Sequence, residues 1–481
     1  MTCPNSIVLD LANISKNCYI QQLSTGCLSQ NAYYIETSDK VCMIIDPLRD
    51  IDQYIKLIKE RKSKLKYVFV THFHADFVSG HVDLAYKTQA EIIFGPEAKA
   101  EFKIKETKDG EIIDINDIVK IKILHTPGHT LESSCYLLYE KIDSDLRQIG
   151  VFTGDTLFLG ETGRPDLAVK SHLNEHDLAA MLFESLQKLK ALDGECIVFP
   201  GHGAGSACGK NIQSGSYSTI NIQKETNYAL SDNLKKEEFI EIATSNLPTP
   251  PHYFFLDAIL NKQNITHYDD LLKKSLKELS VDVFEKLMKD KNVNVIDSRL
   301  VKSVYEFGIP VGAVSITIDS NFVIFSATIY NPKNNTIIIS DIGREEETIK
   351  RLTRVGFENI EGYLKGGISS WISANKPMIK PILVLKENCK EIAETRYILD
   401  VRNPTEYKCP GNLKNSIKIP LPILEENLNK VSMTDRVYCL CKTGIRATMA
   451  ATLLIRNGFE NEIYVLEGGI ANLIERGIVL E

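Results

Sequence analysis

Short apolar runs dominate the first part of the chain. Tyr33–Glu36, Cys42–Ile45, Lys66–Val70 and Glu91–Phe94 are rich in β-formers, with turn residues between them. Helical spacing interrupts them at Asp52–Lys62. A second set of strands follows, Lys120–Leu124, Ser134–Tyr139, Gly150–Thr153 and Cys196–Phe199, and helical spacing returns between Leu178 and Leu192. Strands with interleaved helices predict an α/β domain of two similar halves. Asn246–His252 carries Leu-Pro-Thr-Pro-Pro in its middle, which breaks regular structure and reads as a boundary.

Beyond that boundary the chain repeats itself. Val293-Asn-Val-Ile-Asp-Ser-Arg299 resembles Arg396-Tyr-Ile-Leu-Asp-Val-Arg402, with Asp297 and Asp400 103 apart. Gly356-Phe and Gly458-Phe are 102 apart, as are Lys365-Gly-Gly-Ile and Glu467-Gly-Gly-Ile. Three recurrences at nearly one spacing predict a duplicated α/β domain, each copy a parallel sheet of βα units.

Composition narrows the class. The 481 residues suggest about three domains, at roughly 100–200 residues each. A hydrophobic share of 43% and a charged share of 25% are those of a globular protein, not of a disordered or coiled-coil chain. The net charge of −7 gives no concentrated basic face, so nucleic acid is not expected as a partner. No apolar run is long enough for a membrane span, and the start lacks a signal-peptide pattern, so no membrane association is expected. The eleven cysteines are scattered and odd in number, and Cys439 and Cys441 are too close for an ordinary bridge. Free thiols in a reducing cytoplasm are the expectation. Eight of the ten histidines precede residue 203, which concentrates metal or imidazole chemistry in the N-terminal half.

Four polar clusters follow apolar strands there. They are His72-Phe-His74-Ala-Asp76, Thr126-Pro-Gly-His129, Thr153-Gly-Asp155 and Pro200-Gly-His202. Strand ends are where α/β folds place ligands. Imidazoles and a carboxylate arriving from separate strands are a usual donor set for a first-row metal. Of the other histidines, His81 is expected to be packed, His125 to bond locally, and His172 with His176 to line a solvated helix face.

The four clusters resemble the metallo-β-lactamase fold family, over residues 18–245. The resemblance implies an αββα sandwich whose HxHxDH, GH, GD and GH segments hold one or two metals. Position 77 departs from it, because Phe77 stands where the family usually has a histidine of the second metal position. One metal is therefore expected, held by His72, His129 and Asp155. That set resembles the facial triad of non-haem Fe(II) oxygenases. His74 is expected outside the ligand shell, or as a third imidazole ligand as in the hydrolytic relatives, and Asp76 and His202 as a vestigial second site. Arg164, in Gly163-Arg-Pro-Asp-Leu167, lies in a segment similar to one that persulfide dioxygenases of this fold use toward the thiol substrate, and is expected to pair a substrate carboxylate. Cys208 follows the last cluster in a glycine-rich loop, expected to be tight and partly exposed, and is a candidate sulfur carrier.

A second signal is Val437-Tyr-Cys-Leu-Cys441-Lys-Thr-Gly-Ile-Arg446. An apolar strand ends at Cys441, and a helical pattern follows. Six residues from Cys441 to Arg446 can wrap backbone N–H groups around the sulfur at a helix N-terminus, which with Arg446 stabilises a thiolate. The segment resembles the active-site loop of rhodaneses, which carry sulfane sulfur as a cysteine persulfide. Asp400 and Arg402 are expected to brace the loop, and Cys439 to be core. In the first copy Asp341 is read at the place of Cys441, and Glu345, Glu346 and Glu347 follow it. That copy is expected to be chemically silent.

The whole chain thus resembles persulfide dioxygenase–rhodanese fusions. The expected domains are 1–250, metallo-β-lactamase-like; 251–281, a linker; 282–375, a degenerate rhodanese domain; and 382–481, an active one. The resemblance implies one Fe(II) per chain. It also implies oxidation of a low-molecular-weight thiol persulfide by O2 to thiol and sulfite, then sulfur transfer from Cys441 to sulfite giving thiosulfate. It implies a homo-oligomer, dimer or tetramer. The alternative is a zinc thioester hydrolase of the glyoxalase II type with a rhodanese tail.

Overall fold

The computed structural model describes residues 7–11, 14–169, 173–247 and 249–481, which leaves His172 and Pro248 outside the described residues. The chain divides into two compact units, Cys3–Asp270 with Thr353–Gly356, and Leu271–Leu352 with Phe357–Glu481.

The first unit holds two sheets. One has seven strands in sequence order, from Ile7–Asp10 through Cys18–Thr25, Gln30–Thr37, Val41–Ile45, Lys64–Val70 and Glu91–Phe94 to Lys105–Glu106. The other runs Ser218–Thr219, Ile197–Pro200, Asp145–Gly154, Ser134–Ile142, Val119–His125 and Ile112–Asp114. Alternate residues face inward, as the two-residue period of a strand dictates. Ile20, Tyr33, Ile35, Met43, Phe69 and Ile93 meet Ile121, Ile123, Tyr136, Leu138, Phe152 and Phe199 in one core between the sheets. The opposite face of the second sheet packs Leu124, Leu137, Val151 and Val198 against Leu182, Leu186 and Leu189 of the helix Glu175–Lys190. That helix starts at a capping box, with Asn174 accepting from the His176 and Asp177 N–H groups. The helix His81–Thr88 lies against strands Lys64–Val70 and Glu91–Phe94 of the first sheet. The result is the expected αββα sandwich.

The second unit carries the duplication. One parallel sheet runs Glu278–Leu279, Ile360–Leu364, Thr336–Ile339, Asn294–Asp297, Val314–Ser315. The other runs Ile382–Val384, Ile463–Leu466, Val437–Leu440, Ile398–Asp400, Ser416–Lys418. The strand order is the same in both. Each copy buries the same ion pair. Arg299 grips Asp297 and donates to the Gly308 carbonyl at 2.8 Å, and Arg402 grips Asp400 and donates to the Gly411 carbonyl at 2.9 Å.

These pairs are fully buried. Removing one partner strands an uncompensated charge, which costs about 3–5 kcal/mol. Asp400→Ala is therefore expected to lower the melting temperature of the full chain by several degrees, measured by scanning calorimetry. An unchanged trace would show that Arg402 finds another partner.

Two expectations need correction. Residues 251–281 are not a linker. They form helices Tyr253–Leu260 and Tyr268–Ser275, and Glu278–Leu279 joins the first parallel sheet. Pro250 and Pro251 interrupt regular structure only locally, and Tyr253 and Phe254 beyond them are buried again. Nor does Asp341 stand in the place of Cys441. Asp297 pairs with Ile339 as Asp400 pairs with Leu440, so the residue after each strand is Ser340 in one copy and Cys441 in the other. The connection between these two strands is two residues longer in the first copy, 42 against 40 from Asp to its partner, which hides the register. A serine hydroxyl forms no persulfide either.

Candidate functional site

The metal-ligand candidates come from loops at the strand ends of the sandwich. The strand Lys64–Val70 delivers His72, His74 and Asp76, and Asp145–Gly154 delivers Asp155. His129 follows Val119–His125, and His202 follows Ile197–Pro200. All six are buried. His72, His129 and Asp155 bring ligand atoms within 4.8 Å of one another. Asp155 Oδ2 lies 3.4 Å from His129 Nε2 and 3.9 Å from His72 Nε2.

The rings are held from behind. His129 Nδ1 meets the Arg164 carbonyl at 2.9 Å, and His72 Nδ1 meets Thr71 Oγ1 at 3.0 Å. Each leaves Nε2 for the metal side. His72 Nε2 and both Asp155 carboxylate oxygens have no hydrogen-bond partner, although they are buried. Such atoms are costly unless a cation satisfies them, so the donor set fits a metal. Burial, with His74, His129 and His202 nearby, holds the His72 imidazole well below its usual pKa, so it is neutral and ready to ligate.

His74 lies beside these residues, its ring centroid 4.2 Å from that of His72, but is not one of the three that converge. Its Nε2 faces Asp46 Oδ1 at 3.1 Å, and its ring stacks on Phe77 with centroids 4.2 Å apart. Burial works against a charge on His74, but Asp46 outweighs it and raises the pKa. Asp46 also accepts from Thr71 N–H and Oγ1, both at 2.8 Å. Sequence reading passed over Asp46. Its signal was available, since Ile45-Asp46-Pro47 closes a strand just as the other clusters do. Two more supports were missed. Glu132 accepts from Phe73 N–H at 3.1 Å, and Asn261 donates to the His74 and Phe77 carbonyls, each at 2.7 Å. Asp46→Ala removes the brace of both His72 and His74. Metal retention against a competing chelator is expected to fall about 10–100-fold, and unchanged retention would remove Asp46 from the site.

Asp76, His202 and Cys208 form a second group. The loop is partly exposed as expected, at Ala204 and Gly205, but Cys208 itself is only 1% exposed. The loop folds inward because Arg164 N–H donates to the Cys208 carbonyl at 3.1 Å and Cys208 N–H donates to Ser206 Oγ at 3.1 Å. Burial, reinforced by Asp76 and Asp155, pushes the Cys208 thiol well above its usual pKa. The metal-free thiol is thus protonated, unlike a primed nucleophile. Arg164 forms a forked pair with Asp166, at 2.7 and 2.8 Å, and reaches the Ala207 carbonyl at 3.3 Å. Of the remaining histidines, His81 is packed against Phe94 and Phe102, and His125 bonds the Leu131 carbonyl at 2.9 Å.

In the second unit the strand Val437–Leu440 leads into Cys441, and the helix Ile445–Arg456 begins after Gly444. Gly444 N–H donates to Cys441 Sγ at 3.1 Å. The loop needs a glycine opposite it, because a Cβ on Gly469 would stand 2.2 Å from the Cys441 carbonyl oxygen. Arg446 is gripped by both Glu406 oxygens, at 2.6 and 2.8 Å. Burial opposes its charge, and Glu406 with Cys441 more than offsets this. Arg402 donates to the Glu406 carbonyl at 3.0 Å, so the buried Asp400–Arg402 pair supports the residue that holds Arg446. Cys439 is fully buried core. Tyr305, from the first copy, shares a 2.6 Å hydrogen bond with Thr448 in the helix after the loop.

A metal-binding αββα sandwich followed by two parallel α/β domains, one with a cysteine at a helix N-terminus, is the class these features define. Residues 25–202 match the metallo-beta-lactamase superfamily, and residues 384–475 match the rhodanese-like domain. A probable hydroxyacylglutathione hydrolase of Schizosaccharomyces pombe is 33% identical over 179 residues, 36% of this chain and 63% of that protein. The hydroxyacylglutathione hydrolase of Pelagibacter ubique is 30% identical over 179 residues, 37% of this chain and 68% of that protein. The chain thus spans less than two thirds of the first relative. A crystal structure of a metallo-beta-lactamase from Staphylococcus aureus subsp. aureus COL is 29% identical, with a TM-score of 0.63, over 73% of this chain and 99% of that one. Residues 25–202 alone cannot account for that share. The chain belongs to the metallo-beta-lactamase superfamily, and it carries a rhodanese-like domain at its C-terminal end.

Proposed function

We propose that the chain is a cytoplasmic Fe(II)-dependent persulfide dioxygenase coupled to a thiosulfate-forming sulfurtransferase that disposes of sulfide-derived persulfide. The observation that carries this reading is the position of His74. Its Nε2 lies 3.1 Å from Asp46 Oδ1 and its ring stacks on Phe77, and it is not among the donors that converge, His72, His129 and Asp155. Two imidazoles and one carboxylate are the facial set that suits non-haem iron and leaves positions open.

Iron held by these residues supplies redox chemistry toward dioxygen when bound. The chain's own groups do the rest. Thr71 and the Arg164 carbonyl orient the imidazoles, and Asp155 supplies the negative charge that a divalent cation requires. The net reaction is RSSH + O2 + H2O to RSH and sulfurous acid, which ionises to sulfite. A substrate carboxylate that pairs with Arg164 would exchange for Asp166. Cys441 then attacks the outer sulfur of a second persulfide, releasing RSH and becoming Cys–S–SH. Sulfite takes that outer sulfur, so thiosulfate leaves and the thiol is restored. The Gly444 N–H and the helix N-terminus favour the thiolate in both steps. Ser340 gives the first copy no such chemistry, and its part is to brace the active copy through Tyr305 and Thr448. The fusion raises the local concentration of sulfite at the second site. A homo-oligomer belongs to the same proposal.

The experiment is metal content of freshly purified protein, with oxygen uptake on adding glutathione persulfide. About one iron per chain and persulfide-dependent uptake are expected. The relatives named as hydroxyacylglutathione hydrolases favour a second reading, a zinc thioester hydrolase. Two zinc ions, no uptake and turnover of a hydroxyacyl thioester of glutathione would replace the first reading by the second.

A further inference from the structure

We propose that a cavity at the foot of the second parallel sheet, lined by Arg396, Tyr397, Lys430 and Tyr438, binds a small phosphate-bearing aromatic ligand of the nucleotide class, apart from Cys441. The inference goes beyond the dioxygenase and sulfurtransferase reading and does not depend on it.

The cavity holds about 720 Å3, within the roughly 300–1,000 Å3 of small-molecule sites. It lies below the N-terminal ends of strands Ile398–Asp400 and Val437–Leu440. Cys441 follows the opposite end of the second strand, about 13 Å away at roughly 3.3 Å per residue, so the cavity is not the sulfur-transfer site.

Its charge suits an anion. Arg396, Lys430 and Arg436 line it with one carboxylate, Asp435, although the whole chain carries a net charge of −7. Asp435 is already engaged, accepting from Ser432 Oγ at 2.9 Å, and Arg436 donates to Glu462 at 2.6 Å. The side chains of Arg396 and Lys430 have no hydrogen-bond or ion-pair partner among the described residues. Two unpaired cations at a concave surface attract a phosphate and can donate to it.

The remaining walls are apolar and aromatic. Tyr397 is 75% exposed at the rim, and Leu399 and Val431 are buried behind it. Tyr438 is buried, its ring stacked on Tyr464 with centroids 4.8 Å apart, and its hydroxyl has no hydrogen-bond partner among the described residues. The exposed ring offers a stacking face to a base, and the free hydroxyl offers a polar contact inside. Asn461 fixes the loop between them by donating to the Ser432 and Asp435 carbonyls.

The fold itself does not require these residues. In the first copy Val293, Asn294 and Ile337 stand at the places of Arg396, Tyr397 and Tyr438, and all three are buried. Arg456, from the helix of the second copy, closes that end by donating to the Gly312, Lys291 and Val293 carbonyls, at 2.7, 3.1 and 3.2 Å. The same strand start is filled in one copy, and open and cationic in the other.

The test is calorimetric titration of the full-length chain with AMP and ATP, beside adenosine and inorganic phosphate. One nucleotide per chain is expected, bound more tightly than either adenosine or inorganic phosphate, and more weakly as salt rises. Arg396→Ala and Lys430→Ala should each weaken the nucleotide at least about 10-fold. Tyr397→Ala should weaken it about 10-fold and leave inorganic phosphate unchanged. These three side chains are exposed, so the fold tolerates the changes. Lys442→Ala, in the Cys441 loop, should leave nucleotide binding unchanged. No saturable nucleotide binding, binding that Lys442→Ala weakens while Arg396→Ala does not, or equal affinity for inorganic phosphate would each overturn the proposal.

Discussion

Asp155→Ala is expected to abolish metal binding and all persulfide-dependent oxygen uptake while leaving the fold intact. The carboxylate is the one anionic donor in the group formed with His72 and His129. It is buried, and neither oxygen has a hydrogen-bond partner. Without it, two neutral imidazoles would have to hold a divalent cation with no charge compensation. Loss of an outer support costs about 10–100-fold in affinity, and loss of a direct ligand should exceed that. Stability should move the other way in the metal-free chain. A buried carboxylate with no partner destabilises, so alanine should leave the melting temperature unchanged or raise it. The measurement is metal-to-protein ratio and calorimetry on the same sample. Retained stoichiometric metal would show that the ion sits elsewhere. A collapsed melting temperature would show that Asp155 is structural.

Cys441→Ser is expected to change the product rather than stop the chemistry at the metal. Sulfite should accumulate where the unmodified chain releases thiosulfate. Thiosulfate formation should fall by at least about 10³-fold, because a serine oxygen cannot carry sulfane sulfur. In the unmodified chain the two half-reactions sum to about one thiosulfate per dioxygen consumed, when each sulfite is captured. Sulfite and thiosulfate are separated after derivatisation and compared with oxygen consumed. Thiosulfate formation that persists in Cys441→Ser would transfer the role to another thiol, and Cys208 and Cys439 are buried. The surroundings of Cys441 can be read in the same assay. Gly469→Ala would force a Cβ within 2.2 Å of the Cys441 carbonyl, so the loop must shift and the same product change should follow.

Much of this is legible in the sequence. His72, His129 and Asp155 each follow an apolar strand and sit beside a glycine or another polar ligand type, so local pattern alone marks them. The duplication is legible because Asp297 and Asp400, and the paired glycines at 366 and 468, recur at nearly one spacing, 103 and 102 residues. The register inside it is not. Ser340 rather than Asp341 matches Cys441, since Asp297 and its partner Ile339 are 42 apart while Asp400 and Leu440 are 40 apart, and a change of loop length between strands is not marked by either strand's own pattern. The helices at Tyr253–Leu260 and Tyr268–Ser275 lie where the sequence suggests a linker, because prolines announce a break but not how far it extends.

Sequence by itself determined the strands, the duplicated domain and the residue types available for chemistry, because each depends on neighbours along the chain. Only the tertiary structure decided which donors act together. His74 could have joined the converging donors, but its Nε2 lies 3.1 Å from Asp46, which comes from a different strand end. Cys208 could have been an exposed thiol, but backbone bonds to Arg164 and Ser206 bury it beside Asp76 and His202. Arg446 could have pointed at Cys441 alone, but Glu406 holds it. Each outcome is set by side-chain direction and by contacts between residues far apart in the chain, and these exist only once the core has packed.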